Sequence, residues 1–280
     1  MEVDPSPHGM VTEVPLASRE DANFSRRRFL SVGAVLLGSG LNLDCLGSSE
    51  VQPPEGNDGR LTARPVPLTG SVQTGTTPLN LGGGRDGLLF VPSGYNPETP
   101  VPLIVLLHGA GGSGLGVFQR FSSAAEAAGV LVVAPDSTGA TWDVVRGGFG
   151  ADVKYIDRVL KDVFPKVAVD PGRIAIAGFS DGASYALSLG LTNGDLFTRV
   201  AAFSPGFFLP GTLHGKPPVY ISHGTGDTIL PVTSTSRRLV PQLTRAGYPV
   251  RYHEFDGPHT VPPAIADEGF RWIAGDAAAP

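Results

Sequence analysis

Short apolar runs alternate with longer amphipathic runs along the chain from about residue 85 onward. Seven of the short runs have the length and the bounding turn residues of β-strands. They are GLLFVP, PLIVLLHG, VLVVAPD, RIAIAGFS, RVAAFSP, PVYISHG and VRYHEFDG. Four of them are nearly all apolar, over residues 103–107, 131–133, 174–177 and 219–222, as is typical of parallel strands buried on both faces. The pattern therefore predicts a sheet with a buried centre.

Five longer segments between these strands carry apolar residues at helical spacing. They cover residues 117–128, 152–167, 183–191, 233–246 and 264–273. Strand followed by helix, repeated, implies right-handed crossovers and a mainly parallel, twisted sheet with helices on both faces. The sequence thus predicts the α/β class. In such sheets, functional side chains are expected at the edge formed by the carboxyl ends of the strands.

The composition is that of a globular protein, since 41% of the 280 residues are hydrophobic and 17% are charged. This length is enough for one large domain with a sizeable core. The formal net charge of −5 provides no basic footprint for phosphate groups, so we expect no nucleic-acid partner.

The first residues have the pattern of a targeting segment. In SRRRFLSVGAVLLGSG, arginines precede a short apolar stretch, and residues 25–30 resemble a twin-arginine export signal. The apolar stretch is shorter than the roughly 20 residues of a membrane-spanning helix. We therefore expect export by the twin-arginine machinery to the periplasm or the extracellular space. Residues 1–45 are predicted to be the signal, 46–60 a flexible linker and 61–280 the folded domain.

Cys45 is the only cysteine, so no disulfide can form within the chain. It follows the apolar stretch directly, at a place where a lipidated cysteine could tether the exported protein to a membrane. Asp44 departs from the small residue that precedes the cysteine in lipoprotein signals. A cysteine without lipid is therefore the preferred interpretation, and a tether at Cys45 is the alternative.

The stretch GFSDG lies where the strand pattern RIAIA changes into the helix pattern ASYALSLGL. Glycines around a serine at a strand-to-helix turn are typical of a nucleophile elbow, in which a strained backbone holds the hydroxyl exposed. Ser180 is therefore the candidate nucleophile. The structural alternative is a serine that caps the following helix.

A serine hydroxyl needs a neighbouring base before it can attack a carbonyl group. Hydrolases with this elbow have the chain order Ser, then Asp or Glu, then His. His259, in the loop after the last strand, satisfies this order and is the predicted base. The other downstream histidines fit less well: His214 is in a loop without a neighbouring strand end, His253 is inside a strand, and His223 precedes the candidate acids.

The acid that orients the base should follow an earlier neighbouring strand. Asp227, in ISHGTGDTILP, does so. Asp256 is the alternative, because it lies three residues before His259. The sequence FDG is also typical of a turn aspartate that bonds its own backbone, so Asp227 is preferred.

The negative oxygen of a tetrahedral intermediate needs two fixed backbone N–H donors. One is expected from Asp181, which follows the nucleophile, and the other from the Gly-rich turn LLHGAGGSG after an earlier strand. Within that turn Ala110 is preferred, with Gly109 and Gly111 as alternatives. The turn lacks the lysine of a P-loop and the spacing of a dinucleotide site, and no residues have metal-ligand spacing. We therefore expect neither a metal nor another cofactor.

The motifs HGAGG, GFSDG, GTGDTILPV and GPHTVP together resemble those of the α/β-hydrolase esterases. The similarity is to the bacterial phospholipase/carboxylesterase group and to the secreted polyhydroxybutyrate-depolymerase and feruloyl-esterase-like group, over about residues 85–273. It implies Ser180 as nucleophile, His259 as base, Asp227 as orienting acid, and Ala110 and Asp181 as oxyanion donors. Relatives often carry a neutral or amide residue where this chain has Asp181, whose carboxylate would oppose the developing oxyanion and slow the reaction unless it points away.

These observations predict an exported serine esterase that cleaves small-molecule or polymeric carboxylic esters through an acyl-enzyme. The alternatives are a serine peptidase on the same fold and a binding protein without activity. The segment between the strands ending near Ser204 and starting near Pro218 is too short for a large lid domain, so an open cleft is expected. Aromatic and apolar residues near the strand ends are equally compatible with a substrate pocket and with core packing. They are Trp142, Phe207, Phe208 and Leu209.

Overall fold

The computed structural model describes residues 58–82, 85–209 and 211–275, all within the compact unit Gln52–Pro280. The predicted export signal, most of the predicted linker and Cys45 lie outside the described residues. Among the described helices, none has both the length and the apolar character needed to cross a membrane.

One eight-stranded sheet forms the centre of this unit, with the spatial order β1-β2-β4-β3-β5-β6-β7-β8. Its strands are β1 (Gly75–Pro78), β2 (Gly87–Val91), β3 (Val101–Leu107), β4 (Leu131–Pro135), β5 (Val169–Phe179), β6 (Arg199–Phe203), β7 (Val219–Gly224) and β8 (Val250–Phe255). β2 runs antiparallel to β1 and β4, and every other neighbouring pair is parallel. The seven predicted strands and the mainly parallel sheet are confirmed.

The helices are α1 (Gly114–Ala128), α2 (Ala151–Val163), α3 (Asp181–Thr192), α4 (Ser236–Arg245) and α5 (Pro263–Ala274), with a 3₁₀ turn at Asp143–Arg146. All five predicted helices are present. Two of them are shorter than predicted. α2 ends at Val163: Phe164 N still donates to Leu160 O, but Pro165 has no N–H with which to continue the helix. α4 begins at Ser236, after a hydrogen-bonded turn in which Ser234 N donates to Pro231 O.

Alternate residues of the central strands face opposite sides of the sheet, and each side has its own core. On one side Leu103, Val105 and Leu107 of β3 pack in a cluster with buried residues of α2, α3 and α4. On the other side Ile104 and Leu106 pack with residues of α1 and α5. Burial of each large apolar side chain contributes about 1.5–3 kcal/mol, so both layers are needed to hold the strand ends in place.

The segment before β1 lies against the C-terminal end of α3. Arg60 Nη1 donates to Asp195 Oδ1 at 2.8 Å, and Leu61 N donates to Asn193 Oδ1 at 2.9 Å. Leu61 itself is buried in the core. These contacts tie the start of the described chain to the helix that follows Ser180.

Candidate active site

Ser180 occupies a sharp turn between the end of β5 and the start of α3. Its φ is +59° and its ψ is −120°, a backbone conformation that residues other than glycine rarely adopt. Ser180 N donates to Phe203 O at 3.0 Å, which fixes the turn to β6. The hydroxyl makes no capping bond to α3, so the structural alternative of a helix-capping serine does not describe this residue.

The glycines around Ser180 are required by close backbone approaches. A Cβ atom on Gly178 would lie 2.2 Å from Gly182 O, and one on Gly182 would lie 2.2 Å from Leu107 O. Neither distance leaves room for a side chain. The two glycines of the Gly-x-Ser-x-Gly pattern are therefore needed for α3 to pack this closely against β5 and the end of β3.

His259 lies in the loop between β8 and α5, and it reaches both predicted partners. Its Nε2 is 2.9 Å from Ser180 Oγ, and its Nδ1 is 2.5 Å from Asp227 Oδ2. Because a carboxylate only accepts, Nδ1 carries the proton and Nε2 is free to accept the serine proton. The imidazole also packs on Phe179, with ring centroids 4.8 Å apart.

The other candidates for base and acid lie elsewhere. His214 Nδ1 contacts Thr192 O, and His253 Nδ1 contacts Glu268 Oε2. Asp256 is exposed, and in the described part of the chain it makes no hydrogen bond to His259. The structure therefore brings Asp227, and not Asp256, to the imidazole.

Asp227 follows β7, and its side chain is fully buried. Its Oδ1 accepts hydrogen bonds from Ile229 N and Leu230 N, each at 2.8 Å. These bonds from the residue's own loop fix the orientation of the carboxylate. Oδ2 is left to face the imidazole of His259.

A second histidine contacts the same carboxylate oxygen. His223, at the end of β7, places Nε2 3.1 Å from Asp227 Oδ2 and 2.8 Å from Leu230 O, while Nδ1 is 2.7 Å from Ser236 Oγ. Burial lowers the pKa of His223 from its ordinary value of 6.5. The sequence does not predict this contact, because the order of residues along the chain ranks His223 only as a candidate base.

The Gly-rich turn after β3 is held by His108. Ser137 N donates to His108 Nε2 at 2.9 Å, so the proton is on Nδ1, which donates to Gly109 O at 2.7 Å. A Cβ atom on Gly109 would lie 3.3 Å from Ser180 Cβ, so the turn lies directly beside the nucleophile. Burial lowers the pKa of His108, so the neutral ring is favoured.

The amide groups near Ser180 differ in whether they are free to bind an oxyanion. Gly111 N already donates to Ala140 O at 2.8 Å, which removes one of the alternatives. No acceptor within the described residues takes the N–H of Ala110. Asp181 begins α3, where the first N–H groups of a helix have no partner in the helix. The two predicted donors thus remain available beside Ser180.

The carboxyl group of Asp181 is buried and tied to a neighbouring loop. Thr141 Oγ1 donates to Asp181 Oδ2 at 2.6 Å. Burial raises the pKa of Asp181 above its ordinary value of 3.8. The environment therefore disfavours a negative charge on this side chain.

The loop after β6 is hydrogen-bonded to α3. Gly206 N donates to Ser184 Oγ at 2.9 Å and Leu209 N donates to Ser188 Oγ at 2.8 Å, so hydroxyls one helical turn apart on α3 hold this loop. Phe207 and Phe208 are half-buried in it. Trp142 is fully buried and stacks on Tyr185 at 5.1 Å, so it belongs to the core rather than to a pocket.

The described connection between β6 and β7 contains no helix or strand. The described residues also contain no group of three or more His, Cys, Asp or Glu side chains that could hold a metal ion.

The mainly parallel sheet, the elbow at Ser180 and the hydrogen-bonded His259 and Asp227 have the arrangement of the α/β-hydrolase fold. Comparison with known proteins finds similarity to esterases. A family model described as "Putative esterase" matches residues 80–210. Feruloyl esterase C of Emericella nidulans is 31% identical over 175 residues, covering 59% of this chain and 63% of that protein.

Two further comparisons agree. Feruloyl esterase D of Neurospora crassa is 29% identical over 194 residues, covering 64% of this chain and 65% of that protein. The crystal structure of esterase PE8 has the same fold, with a TM-score of 0.55 and 23% identity over 68% of this chain and 97% of that one. The chain therefore spans just under two thirds of the two feruloyl esterases and nearly all of the PE8 structure.

Proposed function

We propose that this protein hydrolyses carboxylic esters through a covalent acyl-enzyme, with Ser180 as nucleophile, His259 as general base and Asp227 as orienting acid. The observation that carries the proposal is the continuous hydrogen-bonded chain from Ser180 Oγ through His259 to Asp227 Oδ2. This arrangement activates a serine hydroxyl without any other group.

In the first step, Ser180 Oγ attacks the ester carbonyl carbon while His259 Nε2 takes the hydroxyl proton. The positive charge that forms on the imidazole is stabilised by Asp227, which is buried and therefore weakly screened. The N–H groups of Ala110 and Asp181 stabilise the negative oxygen of the tetrahedral intermediate. Collapse of the intermediate expels the alcohol, which receives the proton from His259.

In the second step, water attacks the acyl group on Ser180, and His259 again acts as base. The carboxylic acid leaves, and Ser180 recovers its proton. Since the same two donors bind both tetrahedral intermediates, one site serves both half-reactions.

The two relatives named as feruloyl esterases suggest the acyl group. We propose hydroxycinnamic esters as the preferred substrate class. Comparing kcat/KM for methyl ferulate with that for p-nitrophenyl butyrate tests this preference. A higher kcat/KM for p-nitrophenyl butyrate, after correction for its better leaving group, contradicts the preference for hydroxycinnamic esters. It leaves the proposed ester hydrolysis intact.

The nucleophile is tested by covalent labelling with a fluorophosphonate. We expect one label, in the peptide that contains GFSDG, because only a serine activated by a base reacts readily. Ser180→Ala should abolish labelling and lower ester hydrolysis by on the order of 10⁵ or more. Ser122→Ala, on the surface of α1, is the matched control and should label normally.

The alternatives predict different results in the same assay. A non-catalytic binding protein leaves the ester intact and takes up no label. A peptidase cleaves peptide anilides at rates similar to those for esters of the same acyl group, whereas an esterase does not. Activity that survives in Ser180→Ala, or that a chelator abolishes in the parent protein, contradicts the serine mechanism.

We further propose that the protein is exported by the twin-arginine machinery, on the basis of the sequence of residues 25–30. Changing Arg26 and Arg27 to lysine keeps the charge but removes the paired guanidinium groups. The variant should remain in the cytoplasm on cell fractionation. Cys45→Ser should not alter membrane association, unless the alternative of a lipid tether is correct.

A further inference from the structure

We propose that His223 is a positioning residue that holds Asp227 Oδ2 against His259, an inference that rests on the proposed ester hydrolysis at Ser180. His223 does not contact Ser180 through any described hydrogen bond. It lies behind Asp227, on the side opposite to the nucleophile in the chain of hydrogen bonds. Its effect on the reaction therefore passes through the carboxylate.

The partners of His223 determine which of its nitrogens carries the proton. Nε2 faces Asp227 Oδ2 and Leu230 O, and both of these atoms can only accept. Nε2 therefore carries the proton and donates to the two acceptors. Nδ1 is the acceptor for the hydroxyl of Ser236, which is itself buried. One tautomer of the ring satisfies both nitrogens.

With this donor, the Asp227 carboxylate accepts four hydrogen bonds, two at each oxygen. Oδ1 accepts from Ile229 N and Leu230 N, and Oδ2 accepts from His223 and His259. Three of these donors, on His223, Ile229 and Leu230, belong to the same strand-loop segment as Asp227. They leave the carboxylate a single orientation, in which Oδ2 meets His259 Nδ1.

A neutral histidine suits this position better than a cation. A neutral N–H orients Asp227 and leaves its negative charge available to the imidazolium that forms at His259. A charged His223 would pair with Asp227 and compete for that charge. The titratable groups that face His223 are Asp227, His259 and Glu254, and burial favours the neutral ring.

The loss of this N–H donor should therefore lower the rate of acylation without weakening the binding of substrate. His223→Leu removes the donor while filling most of the space, and we expect kcat to fall by about 10- to 100-fold, as for one hydrogen bond to a charged group, with KM changed less than about threefold. His223→Gln can place an amide N–H near the position of Nε2, and it should recover most of the lost rate.

A double-mutant cycle separates positioning from a general structural effect. In the Asp227→Asn background, His223→Leu should cost less than about threefold more, because the carboxylate through which it acts is gone. His253→Leu is the matched control: that histidine also contacts a carboxylate, Glu268 of α5, but it makes no described hydrogen bond to Ser180, His259 or Asp227, and kcat should stay within about twofold.

The outcomes distinguish this inference from the proposed function. Equal losses for His223→Leu and His223→Gln, or additive losses in the cycle, overturn the positioning role. If Asp227→Asn is slow while His223→Leu is not, only the inference about His223 fails. If Asp227→Asn is fully active, the proposed mechanism fails as well. If His223→Leu does not fold, two other variants still test the positioning role. His223→Gln should then have a kcat close to that of the parent protein, and Ser236→Ala should lower kcat three- to tenfold.

Discussion

At the scale of single residues, the hydrogen bonds of the site converge on Asp227. This side chain is fully buried and contacts two histidines and two amides of its own loop. Asp256, only three residues from His259 in the sequence, is exposed instead. Proximity along the chain is therefore a poor guide to which carboxylate orients the imidazole, and the position after a neighbouring parallel strand is a better one.

The assignment of the acid can be tested by two matched substitutions. We expect Asp227→Asn to lower kcat for a soluble p-nitrophenyl ester by roughly 10³ to 10⁴, because the amide favours the wrong tautomer of His259 and carries no charge. Asp256→Asn should cost less than about tenfold, through the loop that presents His259. Steady-state kinetics of both variants provide the measurement. The opposite pattern would assign the orienting role to Asp256.

That Ser180, His259 and Asp227 lie in contact could be predicted from the sequence, because each follows a recognisable strand and the order of the three along the chain excludes most other residues. His223 could not be predicted in the same way. The order of residues ranks candidates for the base, but it contains no information on which side chain supports the acid from behind. Only the short distance from His223 Nε2 to Asp227 Oδ2 indicates that role.

At the scale of secondary-structure elements, the elbow depends on how closely α3 approaches β3 and β5. The amphipathic patterns predicted all five helices and seven strands, because these elements have one face or both faces buried. β1 could not be predicted, since GTTP is polar, mostly exposed and at the edge of the sheet. An edge strand without a buried face leaves no apolar alternation in the sequence.

A methyl group at the elbow should separate α3 from β3. A Cβ atom on Gly182 would lie 2.2 Å from Leu107 O and 2.5 Å from His108 O. We therefore expect Gly182→Ala to lower the free energy of unfolding by about 2–4 kcal/mol and to abolish fluorophosphonate labelling, because Ser180 is displaced from His259. Urea denaturation and labelling measure these effects.

Gly94→Ala is the control for this prediction. A Cβ atom at Gly94, in the turn after β2, meets no other atom within 4 Å. Its free energy of unfolding should therefore stay within about 0.5 kcal/mol of the parent value. A Gly182→Ala variant as stable and as reactive as the Gly94→Ala variant would show that the close approach is not required.

At the scale of the whole molecule, the parallel strands bring groups that are distant in sequence to one edge of the sheet. β7 and β8 are neighbours, and β6 separates them from β5; these three strands present Ser180 after β5, the Asp227 loop after β7 and the His259 loop after β8. The same packing buries two neutral histidines, His108 and His223, at the ends of β3 and β7. The site and the stability of the fold are therefore coupled through pH.

The sign of this coupling follows from the direction of the pKa shifts. Burial lowers the pKa of both His108 and His223 below the ordinary value of 6.5, so below about that pH the unfolded chain binds protons that the folded chain does not. Their contribution to stability is complete above the unfolded pKa and is lost as the pH falls. Glu254 acts in the same direction at lower pH, since Arg237 lowers its pKa to about 2. Asp181, whose pKa burial raises, acts in the opposite direction.

We therefore expect the free energy of unfolding, measured by urea denaturation, to decrease between pH 7.5 and pH 5.5. Each histidine that stays neutral in the folded protein contributes up to about 1.4 kcal/mol to this decrease, since one pKa unit corresponds to that free energy. His223→Gln cannot titrate, so its decrease over the same interval should be smaller than that of the parent by up to that amount. Stability that is constant or rises on acidification would contradict the assignment of neutral buried histidines. An identical pH dependence in the parent and in His223→Gln would show that the pKa of His223 is the same in the folded and the unfolded protein, so that burial does not hold this ring neutral beside Asp227.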